Sequence, residues 1–278
     1  MDKNKTGGTT GSNQYGPRGT AKTPQRQSGP PVMSMEGVTA LITPPRPPVE
    51  HIPPAARPVL KISPSDFAFL RKSCPRCYYM KVVHGKKRPA GSFPSVFNAI
   101  DLAMRGHYTG KRVESALPGL PSGTIQDGKF VKAKPVILDG AIQPIRLQGT
   151  PDAVVEFDDG TCGIIDYKCI KPKPDLAERY SPQTHSYAYA LENPDPYTGR
   201  EPRIVSRMGL LCWSPESYDG TSLQGKPEFI EIEHDREWFR NYLTEVAQEV
   251  SRPEPPPPSP SCEWCAYLAE AGRAQHQH

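Results

Sequence analysis

The sequence of 278 residues contains no long uninterrupted apolar run, and this absence excludes several classes of protein. A membrane-spanning helix needs about 20 consecutive apolar residues, and no stretch approaches that length. The first residues lack the hydrophobic segment of a secretory signal peptide. The seven cysteines are an odd number, which together with the missing signal argues against a disulfide framework. We therefore expect a soluble, cytoplasmic protein.

Large apolar side chains are also scarce in residues 1–58, which are rich in Gly, Thr, Pro, Gln and Ser. Such a segment cannot bury enough apolar surface to offset its ordering entropy, so we expect a disordered tail. It carries seven basic and three acidic residues, which account for the whole net charge of +4. The remainder is expected to divide into a folded domain over 59–252 and a Pro-rich linker with a cysteine-containing end over 253–278.

Four of the cysteines form two CxxC pairs, Cys74 with Cys77 and Cys262 with Cys265. Each pair can place two thiolates on one ion, and together they complete a tetrahedral site of four sulfurs. The alternative is four reduced structural thiols or two independent redox motifs. The other cysteines lie in strand-like segments and are interpreted as small core residues: Cys162, Cys169 and Cys212.

Hydrophobic periodicity predicts the order of elements between the two cysteine pairs. Helical patterns occur over 63–85, 93–108, 176–192 and 238–250, and strand patterns over 134–138, 144–149, 151–157, 162–169, 204–213 and 229–233. Residues 109–132 are expected to form a Gly- and Pro-rich loop, and 253–260 a stiff polyproline spacer. Pro182 predicts an irregular start for the helix over 176–192.

The most informative residues are Asp152, Asp166 and Lys168. The sequence Asp158-Asp159-Gly160 predicts a hairpin turn that places Asp152 alongside Asp166. Residues i and i+2 of a strand share a face, so Asp166 and Lys168 point the same way. Two converging carboxylates repel unless a cation lies between them, and oxygen ligands suit Mg²⁺ or Mn²⁺. The alternative is an ordinary hairpin with solvated surface charges.

With Pro151 before Asp152, this arrangement resembles the PD-(D/E)xK nuclease superfamily. Gln183 and Tyr187 follow on one helical face, as a Gln-x-x-x-Tyr motif follows the lysine in the RecB-like branch, which includes the CRISPR-associated exonucleases. The resemblance implies an α/β fold, a restriction-endonuclease-like core with a central mixed β-sheet flanked by helices.

The resemblance also implies the ligands of a catalytic ion. Asp152 and Asp166 are expected to hold Mg²⁺ or Mn²⁺, with the backbone carbonyl of Tyr167 as a third oxygen ligand. An early helix of this superfamily contributes an acid or a histidine to the metal. Asp101 is the first candidate for that ligand in this chain, and His107 is the alternative.

The cysteines resemble those of iron–sulfur nucleases in the same group, but their distribution differs. Those nucleases usually carry one cysteine early and three late, whereas this chain has two and two. Both a [4Fe–4S] cluster and a Zn²⁺ ion are compatible with the four thiolates. The early cysteine context favours the iron–sulfur cluster, and either group is expected to be structural.

The resemblance implies a metal-dependent nuclease that hydrolyses phosphodiester bonds of DNA, expected to be an exonuclease acting on ends or single strands. Lys168 is expected to position the attacking water, while Gln183 and Tyr187 hold substrate and carboxylates. No GxxxxGK[ST] loop is present, so strand separation is expected to need a helicase or a recombination or replication partner. The alternative is a non-cleaving nucleic-acid-binding or assembly module stabilised by a four-cysteine zinc or iron–sulfur site.

A basic segment is consistent with both functions. Residues 61–90 hold eight Lys or Arg against Asp66 alone, which suits phosphate binding or a solvated helix face. The choice of DNA or RNA, the polarity of cleavage and the endo- or exonuclease mode stay open at this level.

Overall fold

The computed structural model describes residues 57–89, 91 and 94–275. The described helices are α1 (Pro75–His84), α2 (Ser95–Tyr108), α3 (Val113–Ala116), α4 (Leu176–Glu192), α5 (Arg236–Val250) and α6 (Glu263–Gln275). The strands are β1 (Leu60–Ile62), β2 (Gly123–Asp127), β3 (Val131–Lys132), β4 (Ile145–Gly149), β5 (Ala153–Phe157), β6 (Cys162–Cys169), β7 (Val205–Tyr218) and β8 (Leu223–Glu231). The predicted disordered tail over 1–58 lies outside the described residues, apart from Arg57 and Pro58.

A mixed sheet of five strands in the order β2-β5-β6-β7-β8 forms the centre of the fold. The central strand β6 is parallel to its neighbour β7, and all other neighbours in this sheet are antiparallel. Parallel neighbours need a crossover, and α4 lies in that connection. The β5–β6 hairpin turns at Gly160, whose φ of 83° lies in the left-handed region that glycine adopts without strain. The predicted α/β core with a central mixed sheet is confirmed.

Both faces of this sheet are covered, which explains the nearly continuous apolar runs in its strands. Along β6, Ile164 belongs to the core formed with α1, α4 and α5, whereas its neighbour Ile165 belongs to the core formed with α2 and α3. A second, three-stranded sheet, β1-β4-β3, contributes Ile62, Ile145 and Leu147 to the first core. Within the described residues, no helix has the length and apolarity needed to cross a membrane.

The helix predicted over 176–192 is present with those bounds, but its start is not irregular. Pro182 lies inside the continuous helix and is buried. A proline removes one helical N–H donor, a cost of about 3 kcal/mol in an isolated helix. Burial of most residues of α4 against the sheet outweighs this local cost.

Other predicted element boundaries were wrong, because they depend on pairing between distant segments and not on local sequence patterns. The predicted loop over 109–132 contains α3, β2 and β3, and β2 is an edge strand aligned by its pairing with β5. The predicted strand over 134–138 is reduced to one bridge between Val136 and Ile145. The C-terminal segment, expected to be a linker with a CxxC motif, also forms α6.

The helical segment predicted over 63–85 is broken in two. A π-helical turn spans Phe67–Arg71, and α1 begins anew at Pro75. Cys74 is extended, with φ −159° and ψ 108°, because a residue before proline is disfavoured in the helical conformation.

A buried histidine on α4 predicts how stability depends on pH. His185 is 2% exposed, its Nδ1 lies 2.8 Å from the Ser181 carbonyl, and its Nε2 accepts from the Asp235 N–H at 3.1 Å. Burial lowers the pKa of His185 to about 4 from 6.5, and the nearby His234 adds to this, although the hydrogen bond to the Ser181 carbonyl and the charge of Asp235 oppose it. The neutral ring is therefore the form that the folded state favours.

Because the folded-state pKa is lowered, the stabilisation is complete above pH 6.5 and is lost as the pH falls towards 4. The loss amounts to about 3 kcal/mol at about 1.4 kcal/mol per pKa unit. We expect His185→Gln to flatten this acid dependence in urea unfolding measured between pH 7 and 4.5. His84→Gln, at an exposed histidine, serves as the control. The same acid dependence in wild type and His185→Gln would contradict the assignment.

Candidate active site

The carboxyl-terminal end of β6 brings an acid and a lysine together at the centre of the sheet. Asp166 is 1% exposed, and Lys168, two residues further on the same face, forms an ion pair with its Oδ2. Tyr167 between them points to the opposite face, where its ring stacks on Tyr108 at 5.9 Å. The alternation of the strand thus places both charged groups in one buried pocket.

The second acid reaches this pocket from the loop before β5. Asp152 Oδ2 accepts a hydrogen bond of 2.8 Å from the backbone N–H of Tyr167, which ties the loop directly to β6. Burial raises the pKa of Asp152 to about 7, and the negative charge of Asp166 adds to the effect, while Lys168 and Arg105 oppose it. Two acids so placed are stable as carboxylates only beside a cation.

A glycine that the sequence analysis did not single out allows this loop to close. A Cβ on Gly128 would lie 1.7 Å from the carbonyl oxygen of Pro151. The N–H of Gly128 also donates to the carbonyl of Asp152 at 3.1 Å. A side chain at Gly128 would therefore displace the Pro151-Asp152 loop.

Helix α4 supplies the two polar residues predicted from its sequence. Gln183 is 4% exposed and donates from Nε2 to Asp166 Oδ1 at 2.7 Å. Its Oε1 is buried and accepts no hydrogen bond from the described residues. Tyr187 packs at Gly149, where an added Cβ would lie 3.4 Å from the ring. Burial raises the pKa of the Tyr187 hydroxyl, as do the carboxylates of Asp166 and Asp152, so it stays a neutral donor.

Arg105 on α2 is a further residue of the site, and the sequence analysis missed it. Its guanidinium bonds to the carboxylate of Asp152, to the Asp152 carbonyl at 3.2 Å and to Asp101 Oδ2 at 2.9 Å. Asp127 at the end of β2 lies 3.5 Å away. Asp101 and Arg105 are one helical turn apart, so their pairing was visible in the sequence, but the contact with Asp152 was not.

The site opens into a cavity of about 360 Å³. Asp101, Asp152 and Lys168 line its charged side, while Phe69, Phe97 and Tyr180 are among the residues of its apolar side. Lys168 Nζ lies 4.6 Å from the centre of the Tyr180 ring, a cation–π contact. Lys168 is thus held between a carboxylate and an aromatic ring.

The four cysteines of the CxxC pairs meet at a separate place. Their sulfur atoms all lie within 4.8 Å of one another, with Sγ separations of 3.9 Å for Cys74–Cys265, 3.7 Å for Cys77–Cys262 and 3.5 Å for Cys77–Cys265. Burial raises the pKa of Cys74, but backbone hydrogen bonds involving Ser259 and Cys77 outweigh it and lower that pKa to about 7. The predicted convergence of the two pairs is confirmed.

Comparison with known proteins places the chain in a family. The family model described as the PD-(D/E)XK nuclease superfamily matches residues 96–269. The chain belongs to this superfamily. Asp152, Asp166, Lys168 and the α4 residues lie inside the matched region, as do the two late cysteines, while Cys74 and Cys77 precede it.

Comparison with solved structures also gave matches. The crystal structure of SSO0001 has a TM-score of 0.42 and 12% identity over 72% of this chain and 80% of that one. An alkaline exonuclease, LHK-Exo, from Laribacter hongkongensis has a TM-score of 0.37 and 15% identity over 78% of this chain and 94% of that one. No curated protein matches the sequence.

Within this PD-(D/E)XK site, the two residues considered as an early-helix ligand occupy different positions. Asp101 lines the cavity together with Asp152, and Arg105 lies between the two carboxylates. His107 is on an exposed face of α2, where its ring lies 2.8 Å from Lys111 Nζ and against Tyr108, and it is not among the cavity-lining residues.

The basic segment over 61–90 is partly neutralised in this PD-(D/E)XK chain. Arg71 pairs with Glu249 at 2.9 Å, and Lys81 pairs with Asp66 at 2.6 Å. These two ion pairs hold α1 and the π-helical turn against their neighbours. The other three cysteines fit the predicted core role: Cys162 and Cys212 are buried and Cys169 is half-buried.

Proposed function

We propose that the chain is a metal-dependent nuclease that hydrolyses phosphodiester bonds of DNA, as an exonuclease acting on ends or single strands. The observation that carries the proposal is the group formed at the end of β6 by Asp166, Lys168 and Gln183. Asp152 is hydrogen-bonded to the residue between the acid and the lysine. A non-cleaving module would not need these four side chains in one pocket.

The donor set fits a hard divalent cation. Asp152 and Asp166 would hold Mg²⁺ or Mn²⁺ through carboxylate oxygens, with the Tyr167 carbonyl and Asp101 as further oxygen ligands. When bound, the ion supplies a Lewis acid that neutralises phosphate charge and makes a bound water more acidic. Burial and the neighbouring Asp166 charge raise the pKa of Asp152, and a bound cation would favour its ionised form, which supports the assignment.

Lys168 would act as a cation in this chemistry. Burial lowers its pKa, but the adjacent Asp166 carboxylate outweighs burial and raises that pKa above the ordinary value. A protonated ammonium orients the attacking water and donates to a non-bridging phosphate oxygen, and it is not the base. Gln183 would keep Asp166 oriented, while its unpaired Oε1 and the Tyr187 hydroxyl would contact water or substrate.

The direct test is cleavage of end-labelled oligonucleotides by purified protein with Mg²⁺ or Mn²⁺, with EDTA as the control. We expect single strands, or duplexes with exposed ends, to be shortened only when metal is present. Comparison of DNA with RNA strands identifies the substrate, and labels at either end give the polarity of cleavage. Circular strands, which have no ends, distinguish an exonuclease from an endonuclease. Binding of every strand without any cleavage would overturn the proposal.

One observation favours the second candidate, a non-cleaving nucleic-acid-binding module. Arg105 contacts Asp152 while Lys168 contacts Asp166, so each acid already has a cationic partner. If these pairs replace the metal, Mn²⁺ should bind no better to wild type than to Asp152→Asn in calorimetric titration. If the site takes an ion, the substitution should weaken Mn²⁺ binding, because a carboxylate ligand is lost.

We further propose that the four cysteines hold one Zn²⁺. A tetrahedron with Zn–S bonds of about 2.3 Å has sulfur separations of about 3.8 Å, close to those found here. A [4Fe–4S] cluster, which the sequence favoured, places four irons between the ligands and needs wider separations. The ion would be structural, since it joins the start of α1 to the segment that leads into α6.

A further inference from the structure

The π-helical turn before α1 exposes one aromatic side chain beside the active site. Phe67, Ala68 and Leu70 are 2%, 1% and 9% exposed, whereas Phe69 is 47% exposed. Lys72 N–H bonds to the Phe67 carbonyl at 3.4 Å, the wide spacing that defines the turn. Leaving a phenyl ring in water forgoes the free energy of its burial, and π-helical turns frequently occur at functional sites.

The exposed ring is connected to the catalytic lysine through one residue. Phe69 meets the edge of Tyr180 with ring centres 5.7 Å apart. The Tyr180 ring in turn lies 4.6 Å below Lys168 Nζ. An occupant stacked on Phe69 therefore lies one aromatic ring away from the group proposed to contact the phosphate.

The cavity has the chemistry of a nucleotide site. Its charged side, with Asp152 and Lys168, suits the phosphate and the ion, while Phe69 and Phe97 offer apolar ring surface. A second cavity of about 620 Å³ shares Phe97 and Ile170 with the first, and Val96, Ile100 and Leu223 in its lining continue the apolar surface. A paired duplex presents its backbone and hides the faces of its bases. Its bases could therefore not stack on Phe69 or Phe97.

We infer that Phe69, supported by Tyr180, is a stacking site for an unpaired nucleobase next to the scissile phosphate. The inference rests on the proposed function and deepens it. The substrate class is single-stranded nucleic acid, or a frayed end, whose terminal bases leave the duplex. Base stacking on an aromatic ring tolerates every sequence because each base has a π-face, so no base specificity is expected.

The test compares two single strands of equal length and charge, oligothymidylate and a chain of abasic nucleotides, with a fully paired duplex. Fluorescence anisotropy measures binding with Ca²⁺ replacing Mg²⁺, so that the readout does not depend on cleavage. We expect wild type to bind oligothymidylate about tenfold more tightly than the abasic chain, because stacking contributes only when a base is present. It should also bind oligothymidylate more tightly than the duplex.

Phe69→Ala should remove this tenfold preference and leave the abasic affinity unchanged, whereas Phe69→Trp should retain the preference. Phe130→Ala is the matched control, because Phe130 is 53% exposed, lies in the β2–β3 connection and lines neither of these two cavities. Equal weakening of both strands by Phe69→Ala, or no change in either, would overturn the inference.

The outcomes separate the two proposals. Protein that cleaves DNA but binds the abasic chain as well as oligothymidylate overturns the stacking site alone. Base-dependent binding through Phe69 without any cleavage in Mg²⁺ or Mn²⁺ retains the stacking site and overturns the nuclease proposal. Binding to neither strand, together with no cleavage in Mg²⁺ or Mn²⁺, overturns both.

Discussion

Replacing Lys168 by methionine is expected to lower cleavage by roughly a thousandfold without unfolding the protein. Methionine fills the same volume against Tyr180 but cannot orient water or donate to phosphate, and it leaves Asp166 without its cationic partner. Asp166→Asn should have an equal or larger effect, because a neutral amide weakens the hold on a divalent ion. Single-turnover cleavage with saturating Mg²⁺ measures both variants.

Two checks accompany this measurement. Lys226→Met removes an exposed lysine from β8 and should leave the rate unchanged. Circular dichroism of Lys168→Met at the temperature of the cleavage assay should resemble wild type, which separates lost chemistry from lost structure. Wild-type rates in Lys168→Met and Asp166→Asn would show that the chemistry lies elsewhere in the molecule.

The second large effect concerns the cysteine site. Cys262→Ser is expected to lose the bound metal and to melt about 10 °C earlier, since a few kcal/mol shift the Tm of a domain of this size by that amount. One ion would join Cys74 to Cys265, which are 191 residues apart, and so restrict the unfolded chain strongly. Wild type should contain one zinc per chain and be colourless.

The control and the contrary results are equally direct. Cys169→Ser should keep its zinc, because Cys169 lies at the end of β6 and outside the four-sulfur group. At low temperature, Cys262→Ser should still cleave, because the acids and Lys168 are elsewhere. A brown protein containing iron would overturn the zinc assignment, and metal-free wild type of unchanged stability would show that the pairs do not form one site.

The elements that hold the site were predictable where their signals are local. The Asp-Gly turn of the β5–β6 hairpin, the i and i+2 relation of Asp166 to Lys168, and the i and i+4 relation of Gln183 to Tyr187 each need only a few residues. The bounds of α4 follow in the same way from helical periodicity, in spite of Pro182.

The edge of the sheet was not predictable in the same way. β2 has only five residues in a Gly-rich context, and its alignment depends on pairing with β5, about 30 residues away. Gly128 shows the same limitation, because the oxygen that excludes a side chain there belongs to Pro151. Such close approaches are made by the backbone of a distant segment and leave no periodic signal.

The sequence by itself therefore determined the mixed α/β class and the meeting of the two CxxC pairs, and it predicted the acids, the lysine and the α4 residues of the candidate site. Only the tertiary structure decided that Arg105 contacts Asp152, that Phe69 lines the cavity and that the four sulfurs lie within 4.8 Å of one another. The first group depends on turn chemistry and side-chain periodicity within one or two elements. The second depends on distances between elements, which are decided when α2, the π-helical turn and the C-terminal segment pack against the sheet.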